Sequence, residues 1–287
     1  MSEHSESLSV DIRTPITPQK TEKKGNRPVS VQQSLKRIAV GSWRGLQYIV
    51  VVAAIVIIWD ILAQLGYINP ITLPGPRTIA ATAASMISDG SLAEQLEVSI
   101  IRVLKGYVLA GIAGISLGIV LGLSRQMYKL LDLLIQILRP IPPIGWIPLA
   151  ILWFGIDETS KVFIIFLGGF YVVLINVIDG IHQVDPKLIE VAKVLEISRL
   201  RQIFTLIIPA ALPSIFTGMR VALAACWSCV VAAELVASSS GIGYMIMNAR
   251  QFSLSDVVIV GMISIGILGK IMDLALKQVE YRVSRYE

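Results

Sequence analysis

Apolar residues along this chain gather in runs much longer than a half-buried strand or a surface helix would need. Six runs stand out: Leu46–Gly66, Val103–Leu123, Leu130–Phe154, Val162–Ile181, Leu206–Val236 and Val257–Leu276. Each is about 20 residues or longer, the length of helix that crosses the hydrocarbon core of a bilayer. Helix is the form they must take, because lipid offers no partner to free backbone N–H and C=O groups. The pattern predicts an all-α integral membrane protein with six transmembrane helices. The third run contains Pro140, Pro142, Pro143 and Pro148, so it is expected to be kinked or locally unwound. Irregular backbone at that depth is tolerated only where protein or a water-filled cavity surrounds it. The stretch Arg139–Gly155 is therefore a candidate pathway lining.

Between the runs the chain is polar. Residues 1–45 are rich in Ser, Thr, Lys and Pro, too poor in apolar groups to form a core, and expected to be disordered. Residues 46–287 form the predicted membrane domain. The first apolar run starts too far from the N-terminus for a secretory signal. Composition agrees with a lipid solvent: 54% of residues are hydrophobic, 16% are charged and mean hydropathy is +0.71. Soluble domains carry about 25% charged residues.

Charge sets the orientation. A net charge of +5 is compatible with nucleic-acid binding, but the basic residues are scattered between apolar spans, which argues for the bilayer as partner instead. If the N-terminus is cytoplasmic, seventeen Lys and Arg fall on that side, in the tail, at Arg125 and Lys129, at Lys187, Lys193, Arg199 and Arg201, and at Lys277, Arg282 and Arg285. Only Arg77, Arg102, Lys161 and Arg250 fall outside. By the positive-inside rule both termini are expected in the cytoplasm. The longer external segments are then Tyr67–Arg102 and Ser238–Asp256.

The most informative connection joins the fourth and fifth runs, with a coupling loop at residues 183–205. Asp185 suits an N-cap and Pro186 a first helical position. Leu188, Val191, Ala192 and Leu195 then recur at helical spacing as one apolar face, with Lys187, Glu190, Lys193 and Glu196 at other positions. Such a helix either lies on the membrane surface or lays its apolar face in a partner's groove.

Glu190-Val191-Ala192, followed by Ile208-Pro209-Ala210-Ala211-Leu212-Pro213, resembles the cytoplasmic signature loop of permease subunits of ATP-binding-cassette importers. That pattern runs Glu-Ala-Ala, three residues, Gly. Here Val191 replaces an Ala, and Glu196 stands where the Gly usually sits. Gly permits a left-handed turn that costs Glu a steric penalty, so the turn after this helix is expected to differ. Further stretches are similar to the branch importing aliphatic sulfonates, taurine and nitrate: Leu73-Pro74-Gly75-Pro76, Leu138-Arg139-Pro140-Ile141-Pro142-Pro143, Trp146–Gly155 and Ser240-Gly241-Ile242-Gly243-Tyr244. The resemblance runs from about Ile55 to Tyr281.

It implies a type I importer permease bundle with a cytoplasmic coupling helix in a bacterial inner membrane. The implied assembly contains a second copy of the chain, two ATP-binding subunits and a solute-binding protein. The implied cargo is a small organic or inorganic anion: aliphatic sulfonate, taurine, nitrate or bicarbonate. The chain itself holds no phosphate loop, because Gly266-x-x-Gly269-Lys270 has the wrong spacing. ATP and Mg would be bound by partner subunits, with no cofactor and no catalytic residue here.

Ionisable groups at membrane depth invite a functional reading. Arg139, beside the prolines, is the choice for a pathway charge. Asn176 and Trp227 are read either as pathway lining or as core. Lys270 and Asp273, three apart, are expected to pair. Arg220 and Glu234 are assigned to gating or to holding helices together. Cys226 and Cys229 have C-x-x-C spacing inside an apolar run, where they read as packing residues; no metal site is expected. An ion-coupled secondary transporter and a membrane-embedded enzyme are the other function classes, and neither accounts for the docking helix.

Overall fold

The computed structural model describes residues 50–284, and over that range the chain is helical. In order come α1 (Val50–Gln64), α2 (Pro76–Ser88), α3 (Ser91–Leu123) and α4 (Arg125–Leu138). A 3-10 turn (Pro143–Trp146) leads into α5 (Ile147–Phe154), followed by α6 (Glu158–His182), α7 (Pro186–Val194) and α8 (Arg199–Gln202). A widened π-type turn (Ile203–Ile207) joins α8 to α9 (Ile208–Ala237), and α10 (Ile242–Gln251) and α11 (Ser255–Ser284) complete the chain. The tail of residues 1–45, and residues 46–49 of the first expected span, lie outside the described residues. The described residues from Val56 onward form one compact unit.

Among the described residues four helices are long and apolar enough to cross a membrane: α3, α6, Arg199–Ala237 and α11. The pair α4 and α5 adds a fifth if its halves count as one span, and they meet at 86°. The third run is thus broken at its prolines, in line with the expected kink or local unwinding. Pro140 and Pro142 have no N–H to continue the ladder of α4. Pro143 opens the 3-10 turn and Pro148 sits in the first turn of α5, where a missing N–H costs nothing.

The core is a close-packed trio of α3, α6 and α9. Hydrophobicity drives little association between helices in lipid, so close backbone approach and packing must do it. A Cβ placed on Gly114 would lie 2.8 Å from Cβ of Val173, and one on Gly118 would lie 2.7 Å from Cβ of Val177. The helices could not sit at this separation with any larger residue at either position. Val103, Ile165, Val173, Val177, Leu223 and Val230 are buried between them. By contrast α11 buries 11% of its apolar window against 44% for α6, which leaves α11 peripheral. A second cluster joins Trp59 of α1 to Ile79 of α2, Leu92 of α3 and Val260 of α11. The Thr82 hydroxyl donates to Asp256 at 2.6 Å beside it.

Two connections are more ordered than their polarity predicts. Tyr67–Arg102 contains α2 and the first turns of α3, which starts twelve residues before the expected Val103. Ser238–Asp256 contains α10. Both helices carry polar residues on one side, so apolar run length underestimates them.

Candidate functional site

The docking segment is built by its caps. Asp185 accepts from the Lys187 N–H at 2.9 Å and Pro186 opens α7, so the helix starts where the sequence places it. It ends in a Schellman turn. The Ile197 N–H donates to Ala192 O at 3.1 Å, the Glu196 N–H donates to Lys193 O at 3.0 Å, and Glu196 takes φ = +52°. The glycine-type turn is therefore kept with Glu in the left-handed position, contrary to the expectation that the turn would differ. The two backbone hydrogen bonds of the turn and the burial of Ala192 offset a strain of about 1–2 kcal/mol.

Leu188, Val191 and Leu195 are exposed, as are Val194 next to them and Glu190. Ala192 is buried, and Ile189 turns with it toward the core. The four-residue apolar face thus divides into an outward row of three and an inward Ala192, which Ile189 joins from outside that face. Gln202 donates to Ile189 O at 3.5 Å, tying the segment back toward α9.

Arg139 and Asn176 meet in one cleft of about 370 Å³, lined also by Ile141, Pro143, Tyr171 and Val221. Thirteen residues from Glu158 to Tyr171 span about 20 Å of helix, so the cleft lies at mid-length of α6 and toward its His182 end. Asn176 donates to Val172 O at 2.8 Å. Trp227 does not join them. It is buried in the core, its Nε1 without a hydrogen-bond partner, with its ring 3.8 Å from where a Cβ on Gly269 of α11 would lie.

Glu234 anchors a buried cluster at the opposite end of the trio. Its carboxylate accepts from Arg102 at 2.8 Å, from the Ser99 hydroxyl at 2.9 Å and from the Gly243 N–H at 2.8 Å. The Arg102 Nε donates to Glu158 at 2.7 Å, Nη1 to Ser240 O at 2.7 Å and Nη2 to the Ser240 hydroxyl at 3.1 Å. Lys161 reaches Glu158 at 3.1 Å. The first N–H groups of α10 are thereby satisfied by neighbouring helices: Gly241 by Gln95, Ile242 by Ser99 and Gly243 by Glu234. Gly241, at φ = +104°, has the Glu234 carboxylate where a side chain would be. Sequence reasoning placed Arg102 outside and missed Ser99 and Glu158. The available signal was opposite charge (Arg102, Glu158, Lys161 and Glu234) at the same end of three apolar runs.

Arg220 bridges α9 to α11, at 2.9 Å from Asp273 and 3.7 Å from Glu280, while Lys270 pairs with the same Asp273 at 3.3 Å. Cys226 and Cys229 are buried against Gly169 and Gly168 of α6. No group of three metal-binding side chains occurs among the described residues.

A family model described as binding-protein-dependent transport system inner membrane component matches residues 99–285. The chain belongs to this family. Among its relatives is a putative aliphatic sulfonates transport permease of Bacillus subtilis, 43% identical over 82% of this chain and 85% of its own length. The taurine transport system permease of Escherichia coli is 36% identical over 81% of this chain and 86% of its own. The nitrate import permease of a Synechocystis strain is 34% identical over 78% and 84%. The chain therefore sits in the sulfonate, taurine and nitrate branch of these permeases. In fold it is similar to the inward-facing methionine transporter MetNI, with a TM-score of 0.57 at 15% identity, covering 64% of this chain and 92% of that one. This family consists of multi-pass transport permeases, which are not catalytic.

Proposed function

We propose that this chain is the membrane-spanning half of an ATP-driven importer, working as a pair of identical six-span subunits. In that count α1 would belong to the first span, and the α4–α5 pair would make the third. Two ATP-binding subunits would dock on α7, with Leu188, Val191 and Leu195 in their grooves and Asp185, Glu190 and Glu196 framing the helix. ATP and Mg would reside in those subunits, and a solute-binding protein would deliver the cargo. That cargo is a small anion such as an aliphatic sulfonate, taurine, nitrate or bicarbonate, entering past Arg139 and Asn176. Arg220 and Glu234 hold helices together instead of gating, since each is engaged by partners on a neighbouring helix. Trp227 serves packing.

The observation that carries this reading is the outward apolar row on a short, doubly capped helix, which a mere connector would not need. Reconstitution with its ATPase and binding protein tests it. Uptake is expected to need ATP hydrolysis. Uptake by the permease alone, driven by an ion gradient, would support a secondary transporter instead.

A further inference from the structure

We infer that the cleft between α3 and α11 seats one acyl chain of a phospholipid whose anionic headgroup rests on Arg282. The cleft has a volume of about 430 Å³. Ile100 and Leu104 of α3 form one wall, Leu223 of α9 the floor, and α11 the other wall from Leu268 to Val279. Leu223 is buried, whereas Leu104 and Val279 at the rims are exposed. Helices in lipid gain no hydrophobic drive from closing such a gap. An apolar chain from the bilayer fills it without desolvating any polar group. Length agrees with this occupant. From Leu268 to Val279 the helix rises about 16 Å, close to half of a hydrocarbon core about 30 Å thick. That is the depth one leaflet's chain has to fill.

Charge fixes the kind of lipid. Asp273 and Glu280, the acidic residues in the second half of α11, both reach Arg220 of α9, at 2.9 and 3.7 Å, and Lys270 shares Asp273 at 3.3 Å. Lys277 and Arg282 are exposed and have no carboxylate within 4 Å among the described residues. Arg282 follows Val279 by one turn on the same side of α11, at the end of the cleft where a headgroup would sit. Lys277, two residues before Val279, lies on the opposite side of the helix. A guanidinium offers a phosphate two parallel donors, and its stem can lie along an apolar wall. Tyr281, exposed on the same turn, suits the level of the headgroups. Lys105 of α3 also lacks a carboxylate within 4 Å among the described residues, but it does not line the cleft. A second apolar cleft, between α3 and α6, has Phe154, Thr159 and Phe166 on its walls and no Lys or Arg. A lipid there would be held without regard to headgroup charge.

Dioleoylphosphatidylglycerol and dioleoylphosphatidylcholine make the test, because they share acyl chains and differ in net headgroup charge. Each is titrated into the purified full chain in detergent, and bound lipid is read by native mass spectrometry. A photoreactive acyl analogue of the glycerol lipid maps the site. The wild-type chain is expected to hold the glycerol lipid about fivefold tighter than the choline lipid. Arg282→Gln should bring the two lipids level, and Arg282→Lys should restore part of the difference. Lys105→Gln and Lys277→Gln should leave the difference in place. Ala275→Trp, at an exposed position in the cleft wall, should weaken both lipids about fivefold in a chain of normal yield. Crosslinks are expected on Leu104, Leu276 or Val279. Equal binding of the two lipids to the wild-type chain, a preference that survives Arg282→Gln, or crosslinks confined to the α3–α6 cleft overturns the proposal. So does a wild-type chain that holds neither lipid and turns from dimer to monomer on Ala275→Trp, because a second copy would then fill the cleft. None of these measurements involves cargo, ATPase or uptake, so the lipid site and the importer reading can fail separately.

Discussion

Arg102 carries more structure than any other single charge described here, because its guanidinium joins Glu158 on α6, Glu234 on α9 and the Ser240 carbonyl ahead of α10. Truncation at the two ends of this cluster should therefore be unequal. Arg102→Leu strands Glu234, whose side chain has no exposure, and is expected to cost about 3–5 kcal/mol. Glu158→Gln removes a carboxylate that is 56% exposed, in a pair that solvent already screens, and should cost well under that. Thermal midpoints of the purified chain should fall steeply in the first variant and slightly in the second; equal falls would remove the cluster's special standing. Glu196 offers the reverse case. Its φ of +52° suits glycine, so Glu196→Gly should leave the helix end intact and raise stability by about 1 kcal/mol or less. Transport lost from a normally assembled Glu196→Gly complex would mean that the carboxylate itself touches a partner.

Helices differ in how plainly they announce themselves. Those at α3, α6, α9 and α11 are legible because each spends a full membrane thickness in apolar residues, and the break after Leu138 is legible because four prolines crowd it. By the same criterion α2 and α10 vanish, since a helix with one polar side never accumulates a long apolar run. The Arg102–Glu234 pair escaped for a different reason: its members are 132 residues apart, and only the packing of α3 on α9 brings them together. Ala192 shows the limit of helical spacing within one element. Its position fits the apolar stripe, yet it lies on the edge of α7 that turns inward. Substitution should separate the two edges. Leu195→Asp is expected to release the ATPase subunits from a chain that remains folded, because the side chain is 65% exposed before docking. Ala192→Asp should instead lower the yield of the chain itself by burying a lone carboxylate. Full ATPase recovery with Leu195→Asp would refute docking through this row.

Across the whole molecule one rod links the two ends. The π-type turn and α9 lead without interruption from the docking segment to Glu234, and α6 and α3 lie alongside in contact too close for sliding without repacking. Movement imposed at α7 would therefore carry the buried ion cluster and α10 with it as a body, and in the proposed pair of subunits transport would be a rocking of two such bodies against each other. This picture requires α7 and α10 to face opposite sides of the membrane. The seventeen-to-four division of Lys and Arg predicts that α7 faces the cytoplasm. Single cysteines can decide it without removing the native ones, because Cys226 and Cys229 are both buried in the core and should stay silent. Asn248→Cys on exposed α10 is expected to react with a membrane-impermeant maleimide added to intact cells. Lys193→Cys on α7 should react only after the membrane is permeabilised. The opposite pattern would invert the orientation and put the apolar row of α7 out of reach of any cytoplasmic ATPase. Labelling of both sites from outside would mean that α7 and α10 share a face, and α9 would then no longer act as a lever across the bilayer.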